Sequence, residues 1–74
     1  MARFNRIAIV FDNKSVMEDC VNFLMIKKLM KKNYNTFDKN DNPYIIIDSV
    51  LNSKELFNAL KNKIGTKNFI IRKV

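Results

Sequence analysis

The sequence predicts an α+β domain whose elements run β-α-β-β-α-β, and three observations predict it. Two segments, Ser15 to about Lys32 and Asn52 or Ser53 to Ile64, carry apolar residues at helical spacing. Two others, Arg6–Phe11 and Tyr44–Ile47, are apolar on both sides, which suits the centre of a sheet. The strongest turn signal, Lys39-Asn40-Asp41-Asn42-Pro43, lies where a hairpin would join the second and third strands.

Each element follows from its residues. In Arg6–Phe11, Ile7, Ile9 and Phe11 point one way and Ala8 and Val10 the other. Asp12-Asn13-Lys14 is a turn, and Ser15 is expected to cap the first helix with Glu18 as its capping-box partner. Lys27, Lys28, Lys31 and Lys32 then fall in the last turns, where cations complement the helix dipole, and Asn33 is placed to end it. Tyr34–Asp38 is short and mostly polar, an edge strand. Pro43 fits the first position of the next strand. Leu56, Phe57, Leu60 and Ile64 form one stripe on the second helix, which Gly65 stops. Asn68–Val74 closes the chain as a strand around Phe69, Ile70 and Ile71. With right-handed crossovers, the economical arrangement is the ferredoxin-like split βαβ fold. It is a four-stranded antiparallel sheet in the order 4-1-3-2 with both helices on one face. The alternative is an irregular α+β arrangement in which the first helix breaks near Ile26.

The 74 residues make one domain, 1–74, with a marginal core. Small domains are usually reinforced by disulfides, a metal or oligomerisation. The single cysteine forms no internal disulfide, and the absence of histidine leaves no zinc set, so no cofactor is implied. Association is the remaining supplement. Cys20 itself reads as a small buried hydrophobe. No apolar run approaches 18 residues, and Met1 to Asn5 leads straight into strand-like sequence, so a cytoplasmic protein is expected. Eleven Asn, eleven Lys and nine Ile supply 31 of the 74 positions, a skew expected of a low-GC bacterium or its phage.

The first helix is apolar on two sides. Met17, Cys20, Val21 and Leu24 form one stripe; Phe23, Ile26 and Met30 form a second on the opposite side. Only one can face the chain's own core. The predicted topology also leaves one sheet face bare, with Ala8, Val10 and half of the Tyr44–Ile47 run upon it. Surplus apolar surface marks an interaction site, and a symmetric homodimer is its commonest use. Phe23, Ile26, Met30, Ala8 and Val10 are therefore the candidate interface.

The net charge is +7, and the topology gathers it at one edge. Arg3, Arg6, Lys27, Lys28, Lys31, Lys32, Lys54, Arg72 and Lys73 lie there against Asp48 and Glu55, whereas the opposite edge is neutral. Such an edge is the footprint of a polyanion partner, so a basic nucleic-acid-binding module is the second functional expectation. No helix-turn-helix, RNP-type aromatic motif or GXXG loop supports sequence-specific reading. The other account of Lys27–Lys32 is a solvated helix end.

Catalysis is not expected. Without histidine, acid–base work would fall to carboxylates, and Gly65, the only glycine, leaves no phosphate-cradling loop. Asp12, Asp38 and Asp41 lie at one edge and could hold Mg²⁺, though turn formation accounts for them too. Ile9-Val10-Phe11-Asp12 resembles the first strand of the small ferredoxin-like nucleases found beside CRISPR arrays, which implies a distant alternative, a metal-dependent nuclease acting through Asp12.

In size, composition and lack of a catalytic constellation the chain is similar to the early proteins with which phages of low-GC Gram-positive bacteria disable host enzymes. Among them are short inhibitors of the host DNA polymerase sliding clamp. That resemblance implies a non-enzymatic dimer in the host cytoplasm that binds a replication protein and denies it to DNA. Because a clamp's DNA channel is basic, Asp12, Glu18, Asp19, Asp38 and Asp41 would make the contact.

Overall fold

A computed structural model describes residues 4–39 and 42–73, the side chains of Asp38, Lys39 and Lys73 excepted. The order is β1 (Asn5–Phe11), α1 (Lys14–Ile26), β2 (Asn35–Lys39), β3 (Asn42–Ser49), α2 (Ser53–Ile64) and β4 (Phe69–Lys73). The four strands form one antiparallel sheet in the order β2-β3-β1-β4, which is the expected order read from its other edge. The two most apolar strands are central. Ile7, Ile9, Phe11, Ile45, Ile47 and Phe69 point to one side and are buried. The helices pack on that side with Met17, Cys20, Val21, Leu24, Leu56 and Leu60.

The second helix begins and ends as its sequence dictates. The Asn52 side chain accepts from the Glu55 N–H at 2.8 Å and the Glu55 carboxylate accepts from the Asn52 N–H at 3.0 Å, a complete capping box. At the other end Gly65 takes φ +81°, and the Asn68 side chain donates to the Ile64 carbonyl.

The first helix departs from expectation at both ends. Its cap is Asn13, whose side chain accepts from the Val16 N–H at 3.0 Å, not Ser15 with Glu18. Asn caps as well as Ser, and starting two residues earlier leaves Glu18 exposed in mid-helix. The larger correction lies at the C-terminus. α1 stops at Ile26, where the alternative arrangement puts a break, and not near Lys32, so none of Lys27, Lys28, Lys31 and Lys32 lies in its last turn and Asn33 is not its end. The Leu29 N–H donates to the Leu24 carbonyl at 2.9 Å and the Lys28 N–H to that of Met25 at 3.1 Å. This is a Schellman ending, with Lys28 in the left-handed position at φ +58°. A side chain there costs about 1 kcal/mol relative to glycine.

What outweighs that cost is the docking of the following segment. Met30 forms an antiparallel bridge with Ser49, the Lys31 N–H donates to the Asp48 carbonyl at 2.9 Å, and the Val50 N–H donates to that of Leu29 at 3.1 Å. Met30 is thereby buried, and Leu29 packs against the core. The buried Ser49 hydroxyl locks the junction: it donates to the Leu29 carbonyl at 2.7 Å and accepts from the Leu51 N–H at 3.1 Å. Ser49→Ala removes both bonds, so chemical denaturation should show a loss of roughly 1–3 kcal/mol.

Candidate interaction surface

Period-two alternation leaves every second residue of the strands on the side opposite the helices. Register places Phe37, Tyr44, Val10 and Ile70 side by side, one from each strand. Asn35, Ile46, Ala8 and Arg72 form the neighbouring row, and Arg6 and Asp48 lie beyond it. Both helices lie on the other side of the sheet, and the segment Lys32–Tyr34 borders this face beside Ile46 and Asp48. Ile70 is 57% exposed and Phe37 37%. The Phe37 and Tyr44 rings stack, with centroids 4.6 Å apart and planes 11° from parallel. Such a cross-strand pair contributes about 0.5–1.5 kcal/mol to the hairpin. The Arg6 guanidinium lies 3.3 Å from the Asp48 carboxylate, an exposed pair worth under about 1 kcal/mol.

The expected interface residues separate into four fates. Ala8 and Val10 lie half-buried on the open face, as anticipated. Met30 belongs to the core, so it is not an outward residue of α1; the helix ends before the stripe can reach it. Phe23 is half-buried against the core, with the Lys63 ammonium 5.9 Å from its ring. Ile26 alone of that stripe stands free, 78% exposed. The second helical stripe is thus not a continuous surface. Phe37 and Ile70 were not anticipated on the open face. A lone Phe in a polar edge strand carries a weak signal, and the Phe69-Ile70-Ile71 run fits either phase of alternation.

Among described side chains, Arg6, Lys28, Lys31, Lys32 and Lys54 gather at the end of the molecule where β1 begins and β3 finishes, whereas Lys27 lies beside Asp19 and Lys63 and Arg72 beside Asp12 and Lys67. The acids there are engaged, Asp48 with Arg6 and Glu55 in the α2 cap. Lys31 has its ammonium 4.5 Å from the Phe4 ring centroid. Arg3 and Asp41 lie outside the described residues, as does the Asp38 side chain. Asp12, Glu18 and Asp19 are exposed at or near the start of α1, and the Asp12 N–H donates to the Asn68 carbonyl at 3.0 Å. No metal-ligating cluster occurs among the described residues.

Cys20 is fully buried, and loss of hydration pushes its thiol up to about 12. It is a packing residue held neutral. Among the described residues no helix is long and apolar enough to cross a membrane. Comparison with protein families, with curated proteins and with solved structures finds no match to the chain.

Proposed function

We propose that the protein is a non-enzymatic interaction module that pairs through the open face of its sheet, in the first place with a second copy of itself. The observation that carries this is the row Phe37–Tyr44–Val10–Ile70, which runs across all four strands on the side opposite the helices. Its anatomy suits a protein interface: an apolar, partly aromatic centre, with Arg6, Asp48, Arg72 and Asn35 at the margin. A second sheet laid on it would supply the burial that a domain of this size otherwise lacks. The surface also offers little for covalent or proton-transfer chemistry, with no histidine and its one thiol buried. The resemblance in size and composition narrows the reading to a phage protein that, as a dimer, blocks a host replication component such as the sliding clamp.

Light scattering at increasing concentration tests the pairing. The wild type should reach the mass of a dimer, and added salt should favour it by screening two like-charged copies. Val10→Glu puts an unpaired carboxylate at the centre of the face and should weaken pairing by more than about a hundredfold, whereas Ile26→Glu should leave it unchanged. A wild type that stays monomeric at every concentration refutes the reading.

A further inference from the structure

A second surface, separate from the open sheet face, lies where α1 breaks. Phe4, Met25, Met30 and Val50 line a groove between the end of α1, the approach to β1 and the exit from β3. Phe4 and Val50 are 40% and 42% exposed. Lys28, Lys31 and Lys32 stand around this apolar floor. No ion pair among the described residues engages these three lysines, and the nearby carboxylates of Asp48 and Glu55 are already held elsewhere.

We propose that this lysine-collared groove docks an acidic segment of a partner protein that carries an apolar anchor side chain. Charge complementarity selects the acid: three ammonium groups, none in an ion pair among the described residues, share one cleft. The floor selects a protein over a nucleic acid. A phosphate backbone gains nothing from two methionines and a valine, and the one aromatic ring present, Phe4, already has Lys31 against it. A leucine or phenylalanine side chain would bury against Met25, Met30 and Val50. The backbone adds a second, independent observation. Lys28 is the one non-glycine residue at positive φ among those described, and strain of this kind gathers at functional positions. Glycine would fit the turn better; lysine keeps a cation at the groove.

Fluorescence anisotropy with short labelled probes tests the site. One peptide carries Asp and Glu around a central Leu-Phe pair, a second has Ser in place of that pair, and the third probe is a single-stranded oligonucleotide. The first peptide should bind at low salt and weaken as salt rises, and the second should bind at least about tenfold more weakly. Lys28→Glu combined with Lys31→Glu, or Val50→Asp alone, should lower affinity for the first peptide by about tenfold or more. Lys28→Gly should weaken it roughly threefold while raising thermal stability, a combination that a merely structural role would not produce. Val10→Glu should bind the peptide as the wild type does, so failure of sheet pairing and failure of this site are told apart. No binding of the first peptide at low salt overturns the proposal. So does equal binding of the serine peptide, or tighter binding of the oligonucleotide, which would make this end a phosphate surface.

Discussion

Replacing Met30 with Asp should abolish cooperative unfolding, whereas Ile26→Asp should change stability by no more than about 0.5 kcal/mol. The two residues belong to one helical stripe in the sequence, yet the fold treats them oppositely. Met30 is 6% exposed and bridged to Ser49; Ile26 is 78% exposed. A carboxylate at position 30 loses the apolar burial of methionine and strands a charge in the core, at least about 4 kcal/mol together. A domain of this size has little more than that to lose. Were α1 continuous to Lys32, both substitutions would fall on an outer face and both would be tolerated. Urea titration followed by circular dichroism separates the two cases.

The second large effect is on alkaline stability. Burial raises the Cys20 thiol from its ordinary 9.0 to about 12 in the folded protein. Below pH 9 the thiol is protonated in both folded and unfolded chains, and its contribution to stability is fully present. Above that pH the unfolded thiol ionises while the folded one does not, so the unfolded state binds fewer protons and stability falls as pH rises. The slope approaches about 1.4 kcal/mol per pH unit, and the loss is on the order of 4 kcal/mol by the time the folded thiol ionises. The informative comparison is with Cys20→Ala. That variant should be less stable at neutral pH, because it leaves a small cavity, but should lose stability less steeply with alkali. Parallel pH profiles for the two proteins would contradict this account of Cys20.

The sheet was legible in the sequence because its signals are redundant. Ile7-Ala8-Ile9-Val10-Phe11 and Tyr44-Ile45-Ile46-Ile47 are apolar on both sides, so they must be central, and the hairpin and crossovers then leave one economical order. α2 was legible for the same reason: Asn52, Glu55 and Gly65 mark its ends, and Leu56 and Leu60 mark its inner side. The end of α1 was legible only as the alternative of a break near Ile26. Its left-handed position is occupied by Lys28, a good helix former, and its termination is driven by tertiary contacts of Leu29, Met30 and Ser49, which local pattern does not encode. The misplaced Met30 follows directly. The interaction surface was half legible. Ala8 and Val10 could be assigned once a two-layer fold was drawn. Phe37 and Ile70 required the register that places them beside Tyr44 and Val10. The groove at the end of α1 depends on the helix break, which the sequence offered only as an alternative.

On the proposed reading the protein pairs through the open sheet face and not through the outer side of α1. Methyl NMR with a soluble paramagnetic relaxation agent, recorded over a dilution series, tests it most directly. As concentration rises, the methyl groups of Val10, Ile46 and Ile70 should become shielded from the agent together, while that of Ile26 stays accessible. Equal accessibility of all four at every concentration, or shielding of Ile26 alone, would contradict the claim.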